Sequence, residues 1–299
     1  MKDPKSGWLC LDKPEGISSN LAMLKVRKIL KAKTGYIGTL DPFATGVLPI
    51  AVGEARKYIK FIDGSEKQYT FTTIFGQTTD SLDKNGKFTE ATNSIPLKKD
   101  ILDVLPEFIG EQKQIPPSFS AIKIQGKRAC DRVRHGETLE LLPRTVKILD
   151  LRMIDENLCK KEATFEVICS KGTYIRSLAR DMATKLKSLA YVKELRRTKS
   201  GFFSIKNAFS IEKLQKMEDT GEWSKVLTSI ESPLDDIPAL YLRSENIAKL
   251  RNGLEIFVEK SVNGSSNVKI FDDFYGEFFG ICVLSDDGLI KPLRMKAND

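Results

Sequence analysis

The stretch from residue 35 to residue 57, GYIGTLDPFATGVLPIAVGEARK, constrains the fold more than any other. Gly35, Gly38, Pro42, Gly46, Pro49 and Gly53 punctuate it, and between them Val47 to Val52 read as a buried strand bounded by turn residues. A lone carboxylate, Asp41, sits between apolar residues, followed by Pro42, Phe43 and Ala44. A solvated loop acid has polar neighbours; this one is carried toward the interior.

Around that segment the chain alternates strand and helix patterns. Gly7 to Leu11 is a short apolar strand, and Ser18 or Ser19 caps a helix over about 20–32 with Ala22, Val26, Ile29 and Leu30 on one face and Lys25, Lys28 and Lys31 on another. KQYTFTTIFG, residues 67–76, reads as a strand, followed by the loop TTDSLDKNGK. Its acids Asp80 and Asp83 lack the twelve-residue calcium-loop pattern. A helix is predicted over 98–110, and residues 114–145 form a Pro-bounded basic insertion containing Lys127, Arg128, Arg132 and Arg134.

Ala163 to Cys169 alternates as a strand, and YIRSLARDMATKL follows as a helix whose first turn carries Lys171 and Arg176 at the positive end of the dipole. Cations there are disfavoured by about 0.3–1 kcal/mol each, which points to an anion held at that end. Helices are predicted to continue through about 211–230. From about residue 236 short strands alternate with turns, the spacing of a small β-barrel. The expected class is α+β: a mixed, mainly antiparallel sheet flanked by helices over residues 1–235, and a small barrel over 236–299.

Composition removes several kinds of chemistry. A single histidine, His135, rules out an H-E-x-x-H zinc site, and the five cysteines never fall as C-x-x-C. No Gly-rich phosphate loop is present. The reading therefore assigns no metal and no organic cofactor, and leaves the work to Asp, Glu, Lys, Tyr or Arg. A net charge of +8 points to an anionic partner such as nucleic acid. No apolar run approaches the ~20 residues of a membrane span, so a cytoplasmic protein is expected.

Several long motifs, in order, resemble the TruB-type tRNA pseudouridine synthases: LDKPEGISSN, GYIGTLDPFATGVLPIAVGEARK, EKQYTFTTIFGQTTDSLD, PPSFSAIKIQGKR, CSKGTYIRSLARD and ELRRTKSG. The tail from about 236 is similar to PUA domains, small RNA-binding barrels. The resemblance implies isomerisation of uridine to pseudouridine at position 55, in the T loop of tRNA. It implies that Asp41 is the essential carboxylate, that Arg176 holds it ionised, that Tyr69 stacks on the target base, and that Tyr174 and Leu195 border the uracil. It places Lys13, Lys127 and Arg128 near RNA backbone, and implies a monomer with no obligatory protein partner.

This sequence departs from the family pattern twice. Tyr36 stands where most members carry His, keeping an aromatic wedge without a donor that titrates near neutral pH, and Cys130 stands where many carry Tyr. Two other readings have their own discriminators. A non-enzymatic RNA-folding protein would not convert a T-loop transcript, and an RNA-guided synthase would not act alone on naked tRNA.

Overall fold

The computed structural model describes residues 6–62, 66–120, 122–124, 127–134, 137, 141–157, 160–217, 222–258 and 266–296. Strand β1 (Gly7–Lys13) is followed by helix α1 (Ser19–Leu30), which begins where Ser18 Oγ accepts from the Leu21 N–H at 3.1 Å and ends at Lys31 with a left-handed φ of 52°. Ala22, Val26, Ile29 and Leu30 of α1 are buried, as their spacing predicts. Short β2 (Thr34–Tyr36) leads through the Asp41 loop into β3 (Thr45–Val52), the apolar run. In the β1–β3 pairing Leu11 lies opposite Leu48, both fully buried, each contributing about 1.5–3 kcal/mol through removal from water. A 3-10 helix, Gly53–Phe61, follows.

Next come β4 (Lys67–Phe75), the small hairpin β5 (Gln77–Thr79) and β6 (Phe88–Ala91), and α2 (Lys98–Val104). The helix predicted to reach residue 110 stops earlier because Pro106 has no N–H to continue the α-helical hydrogen bonds; Leu105–Phe108 forms a 3-10 turn instead. Strand β7 (Gly110–Gln114) leads into the insertion, which contains β8 (Lys123–Ile124), β9 (Lys127–Arg128) and α3 (Ala129–Arg134). The long β10 (Arg144–Asn157) leads to β11 (Glu162–Cys169), α4 (Ile175–Lys185), β12 (Ala190–Ser200), β13 (Phe203–Ser204) and α5 (Ile211–Lys216).

These strands make one nine-stranded sheet with the path β1-β3-β12-β4-β11-β10-β7, β2 and β13 pairing at its side. Every pairing in it is antiparallel except β3 with β12, which sets Arg197 beside Gly46. One face buries Tyr69, Phe71, Phe165, Val167 and Leu195 under α1 and α4, and Phe71 stacks on Phe165 with ring centroids 5.2 Å apart.

The next expectation needs correction. The helical segment predicted over 211–230 is helical only from Ile211 to Lys216, with one 3-10 turn at Trp223–Lys225. Thr228 then exchanges 2.8 Å backbone hydrogen bonds with Trp8, so pairing with β1 overrides local propensity. The C-terminal segment comprises β14 (Ala239–Leu242), α6 (Ser244–Arg251), β15 (Ile256–Phe257), β16 (Ser266–Asp272), β17 (Phe278–Leu284) and β18 (Leu289–Met295). Its five strands curl as a half-barrel in the order β14-β16-β17-β18-β15, in keeping with the small barrel expected there, and α6 precedes the strands read from Leu250 onward.

The curled sheet does not hang free. Phe278 and Ile281 join one apolar cluster with Trp8, Tyr58, Phe203 and Ile230, the Tyr58 and Phe278 rings being 5.6 Å apart. Among the described residues no helix is long and apolar enough to cross a membrane.

Candidate active site

The loop that carries Asp41 is held from three directions. Ser19, the first residue of α1, donates through Oγ to the Leu40 carbonyl at 2.9 Å and accepts from the Leu40 N–H at 2.8 Å. Arg197, 1% exposed, donates from Nε to the Val47 carbonyl at 2.7 Å and from Nη2 to the Gly38 carbonyl at 2.8 Å. Gly38 has φ 68°, and a Cβ there would stand 3.1 Å from Arg197 Nη1. A Cβ on Gly46, φ 99°, would stand 2.2 Å from the Arg197 carbonyl oxygen. These glycines admit the buried guanidinium and its strand.

Lys13 is the third support. It was expected beside RNA phosphate, but its side chain is fully buried at the end of β1. Its ammonium donates to the carbonyls of Pro14 and Ile17 at 2.8 Å and of Pro42 at 3.3 Å, so all three N–H groups are used inside the protein. It is a clamp on the Asp41 loop with nothing left to offer a phosphate. Burial pulls its pKa down to about 8, against the opposing charge of Asp41.

Asp41 itself faces Arg176, in the first turn of α4. Arg176 Nη2 donates to Asp41 Oδ1 at 3.0 Å. Nε stands 2.9 Å from Oδ2 but off the N–H axis, so that edge of the pair is coulombic. The guanidinium also donates from Nη1 to the Ser81 carbonyl at 2.7 Å and from Nη2 to the Phe119 carbonyl at 2.9 Å, and lies 3.3 Å from Asp83 Oδ2. The cation that sequence alone leaves unpaired at a helix start is thus enclosed, its side chain 3% exposed, while that of Asp41 is 34% exposed. About a third of the Asp41 side chain therefore remains accessible beside a buried cation.

Burial raises the Asp41 carboxyl above its ordinary pKa; the Arg176 charge and hydrogen bond and the Lys13 charge pull it back, and Asp83 adds to the rise. Crowding by neighbours outweighs the accessible third of the side chain.

Tyr69 on β4 lies opposite Arg197 of β12 and Val167 of β11 and shares the apolar cluster with Leu195 and Phe43. Burial raises its phenol pKa, as it does that of Tyr174, and both phenols feel the Asp41 charge. Tyr174 caps α4; its N–H donates to Gln114 Oε1 at 2.8 Å and its carbonyl accepts from Gln114 Nε2 at 3.1 Å, tying the helix start to β7. Asp41, Arg176, Tyr69, Tyr174 and Leu195 are therefore gathered in one region.

Tyr36 is half-buried on β2 opposite Ile50 and, among the described residues, makes no hydrogen bond with Asp41 or Arg176. The backbones of Lys127 and Arg128 pair with Ile124 and Lys123; their side chains, that of Cys130, and all of His135 lie outside the described residues.

Sequence reasoning missed Asp83 and Arg197 as site components. Asp83, 6% exposed, accepts from Ser81 Oγ at 2.8 Å and the Asn85 N–H at 3.0 Å while facing Arg176, so the acids weighed as metal ligands include one that orients a guanidinium. A concavity of about 630 Å³ lies elsewhere, lined by Lys67, Lys199, Phe202 and the 233–237 segment, and does not include Asp41. Charge and hydrogen bonding locate the site here, and volume does not.

Comparison with known proteins agrees with this geometry. Residues 26–175 match the TruB family pseudouridylate synthase N-terminal domain, 176–237 the tRNA pseudouridylate synthase B C-terminal domain, and 238–295 the pseudouridine synthase II TruB C-terminal family. The chain is 43% identical over 274 residues to the tRNA pseudouridine synthase B of Zymomonas mobilis, covering 90% of this chain and 89% of that one. It is 37% identical over 296 residues to that of Ehrlichia ruminantium, covering 97% and 98%. A solved H/ACA RNP bound to a substrate RNA containing 2'-deoxyuridine shares the fold, with a TM-score of 0.73 at 21% identity, covering 98% of this chain and 85% of that one. With its family domains matched in order and its carboxylate–guanidinium pair in place, the chain belongs to the TruB family of pseudouridine synthases.

Proposed function

We propose that the chain isomerises uridine 55 in the T loop of tRNA to pseudouridine, with Asp41 as the reacting carboxylate. The observation that carries this reading is the Asp41–Arg176 pair, in which a wholly buried guanidinium holds a carboxylate that keeps one side accessible. In the reaction the bond from uracil N1 to sugar C1′ breaks, the ring turns, C5 bonds to C1′, the C5 proton leaves and N1 gains one. A carboxylate can attack C1′, add to the uracil, or remove a sugar proton to give a glycal, and in each course it ends as it began. Arg176 opposes the desolvation that would protonate it.

The target base must leave its stack to reach this depth. Tyr69 offers it a ring face, and Leu195 and Tyr174 border it. Lys127 and Arg128 of the insertion contact phosphates and so position the RNA without reading bases. Residues 236–299 act as a PUA-like RNA-binding unit. Their core is continuous with Tyr58 and Trp8, so deletion would uncover apolar surface, and point substitutions test that role more cleanly. The reading requires no metal, organic cofactor or partner protein, and the catalyst is a monomer.

The test is tritium release from C5 of uridine in labelled tRNA by the purified chain. Release of one equivalent, abolished when uridine 55 is replaced by cytidine, is the expected result. Release that survives that replacement would refute the position, and no release would favour an RNA-folding protein.

A further inference from the structure

The chain's positive charge is not spread evenly. Residues 25–61 hold eight Lys and Arg against two acids, Asp41 and Glu54, so that 37 residues carry a net six of the chain's eight positive charges. The fold gathers them: α1 and the 3-10 helix Gly53–Phe61 both pack on β2, the strand that leads into the Asp41 loop. Gly35 of β2 fits this junction closely, since a Cβ there would stand 3.0 Å from Ile59 Cδ1 and 3.7 Å from Arg56 Cγ. At the end of α1 a concavity of about 530 Å³ is lined by Arg27, Lys28, Lys31 and Lys33.

Their density sets these groups apart, since most of them also lack a balancing acid nearby. Several surface bases elsewhere are matched, Arg152 with Glu166 at 2.5 Å, Lys193 with Glu162 at 2.8 Å and Arg196 with Asp12 at 2.7 Å, and on this face Lys57 pairs with Glu54 at 2.6 Å. On this face, among the described residues, Arg27, Lys28, Lys33 and Arg56 are exposed and have no ion-pair partner, and Lys60 lies over the Phe61 ring at 4.8 Å. Like charges left together repel one another, and a polyanion would relieve that repulsion.

We propose that the surface formed by α1, β2 and the 3-10 helix Gly53–Phe61 is a phosphodiester track that holds the RNA stem flanking the reacting loop. This rests on the chain being an RNA-modifying enzyme. It adds a third contact region to the insertion and the C-terminal unit. The chemistry recognised is a row of phosphates at the edge of the cleft, with no base identity.

Two double variants test it: Lys28→Glu/Lys33→Glu on one side of β2 and Arg56→Glu/Lys60→Glu on the other. A third, Lys99→Glu/Lys160→Glu, makes the same change in net charge on α2 and the β10–β11 turn. Dissociation constants for unmodified tRNA are measured across salt concentrations. Each track variant is expected to weaken binding about tenfold or more and to flatten the log–log salt slope by roughly 1.5–2, as loss of two phosphate contacts requires. The control is expected to change neither. Lys28→Gln/Lys33→Gln guards against misfolding and should move both quantities in the same direction by less.

Equal effects in the control would reduce the proposal to net charge. Unchanged affinity and slope in the track variants would overturn it, as would loss of binding to vesicles of anionic phospholipid with tRNA binding intact. Turnover of tRNA by the wild-type chain separates the two layers: a turning-over enzyme with unaffected track variants refutes the track alone, and absence of turnover refutes the enzymatic reading.

Discussion

Two loops meet at Arg176, and each offers it a carboxylate. Asp83 spends one oxygen on Ser81 and Asn85 and turns the other to the guanidinium, and it is 6% exposed. Asp41 pairs with the same guanidinium and keeps 34% of its side chain exposed. Identical chemistry and a shared partner thus yield different capacities. The closed acid faces the arginine from a buried position, and the more open acid is the one we propose to react. Backbone supports from Ser19, Lys13 and Arg197 fix the reacting loop without using the carboxylate. That separation leaves Arg176 as the group that engages its oxygens.

The largest effect that would break this contrast is removal of the shared partner. Arg176→Ala leaves two carboxylates facing each other with no cation between them, and is expected to lower stability by about 3–5 kcal/mol in chemical denaturation and abolish turnover. Loss of tRNA affinity in proportion to loss of turnover would instead make Arg176 a phosphate contact. Asp83→Asn should be milder. The amide retains an acceptor for Ser81 and Asn85 but turns no charge to Arg176, so about 1–3 kcal/mol of stability and 10- to 100-fold in kcat are expected to go, with KM little changed. A loss equal to that of an Asp41 variant would erase the distinction between the two acids.

Lys13→Met tests the loop supports. Three carbonyls lose their donor, so a destabilisation of the order of 3 kcal/mol is expected with kcat reduced less than tenfold. Phosphate binding by Lys13 would show instead as weaker tRNA affinity at unchanged stability.

The pH profile sharpens the contrast. Burial raises the Asp41 pKa, so the folded state holds its proton more readily than the unfolded chain. Its contribution to stability is full below the unfolded carboxyl pKa of about 3.9 and is lost as pH rises through the raised value. Turnover runs the other way, since the ionised form acts. Its acid limb is expected above the ordinary Asp range, measurable in single-turnover rates of wild-type chain at saturating tRNA. A limb at or below about 3.9 would contradict that assignment.

Legibility in the sequence followed the range of the interactions. Asp41 was readable because its neighbours are apolar along the chain itself, and Arg176 because a cation at a helix start violates a local electrostatic preference. Asp83 was not, since TTDSLD looks like a solvated turn until α4 brings Arg176 to it. The burial of Lys13 was not legible either, since the resemblance placed it near RNA backbone and the three carbonyls that hold it come from two segments. The end of α5 and the position of α6 escaped for the same reason. Thr228 pairs with Trp8, and Ser244 Oγ donates to Asp272 at 3.0 Å, both contacts with segments distant in the chain.

The most direct test of the central claim is Asp41→Asn, assayed for tritium release from tRNA uridine at saturating enzyme alongside its affinity and stability. The amide keeps the shape and an acceptor for Arg176 but is a poor nucleophile and base, and a neutral group suits a site that disfavours the charge. Turnover should fall to background while tRNA affinity stays within about threefold and stability is unchanged or slightly higher. Turnover clearly above background in that variant would contradict the account.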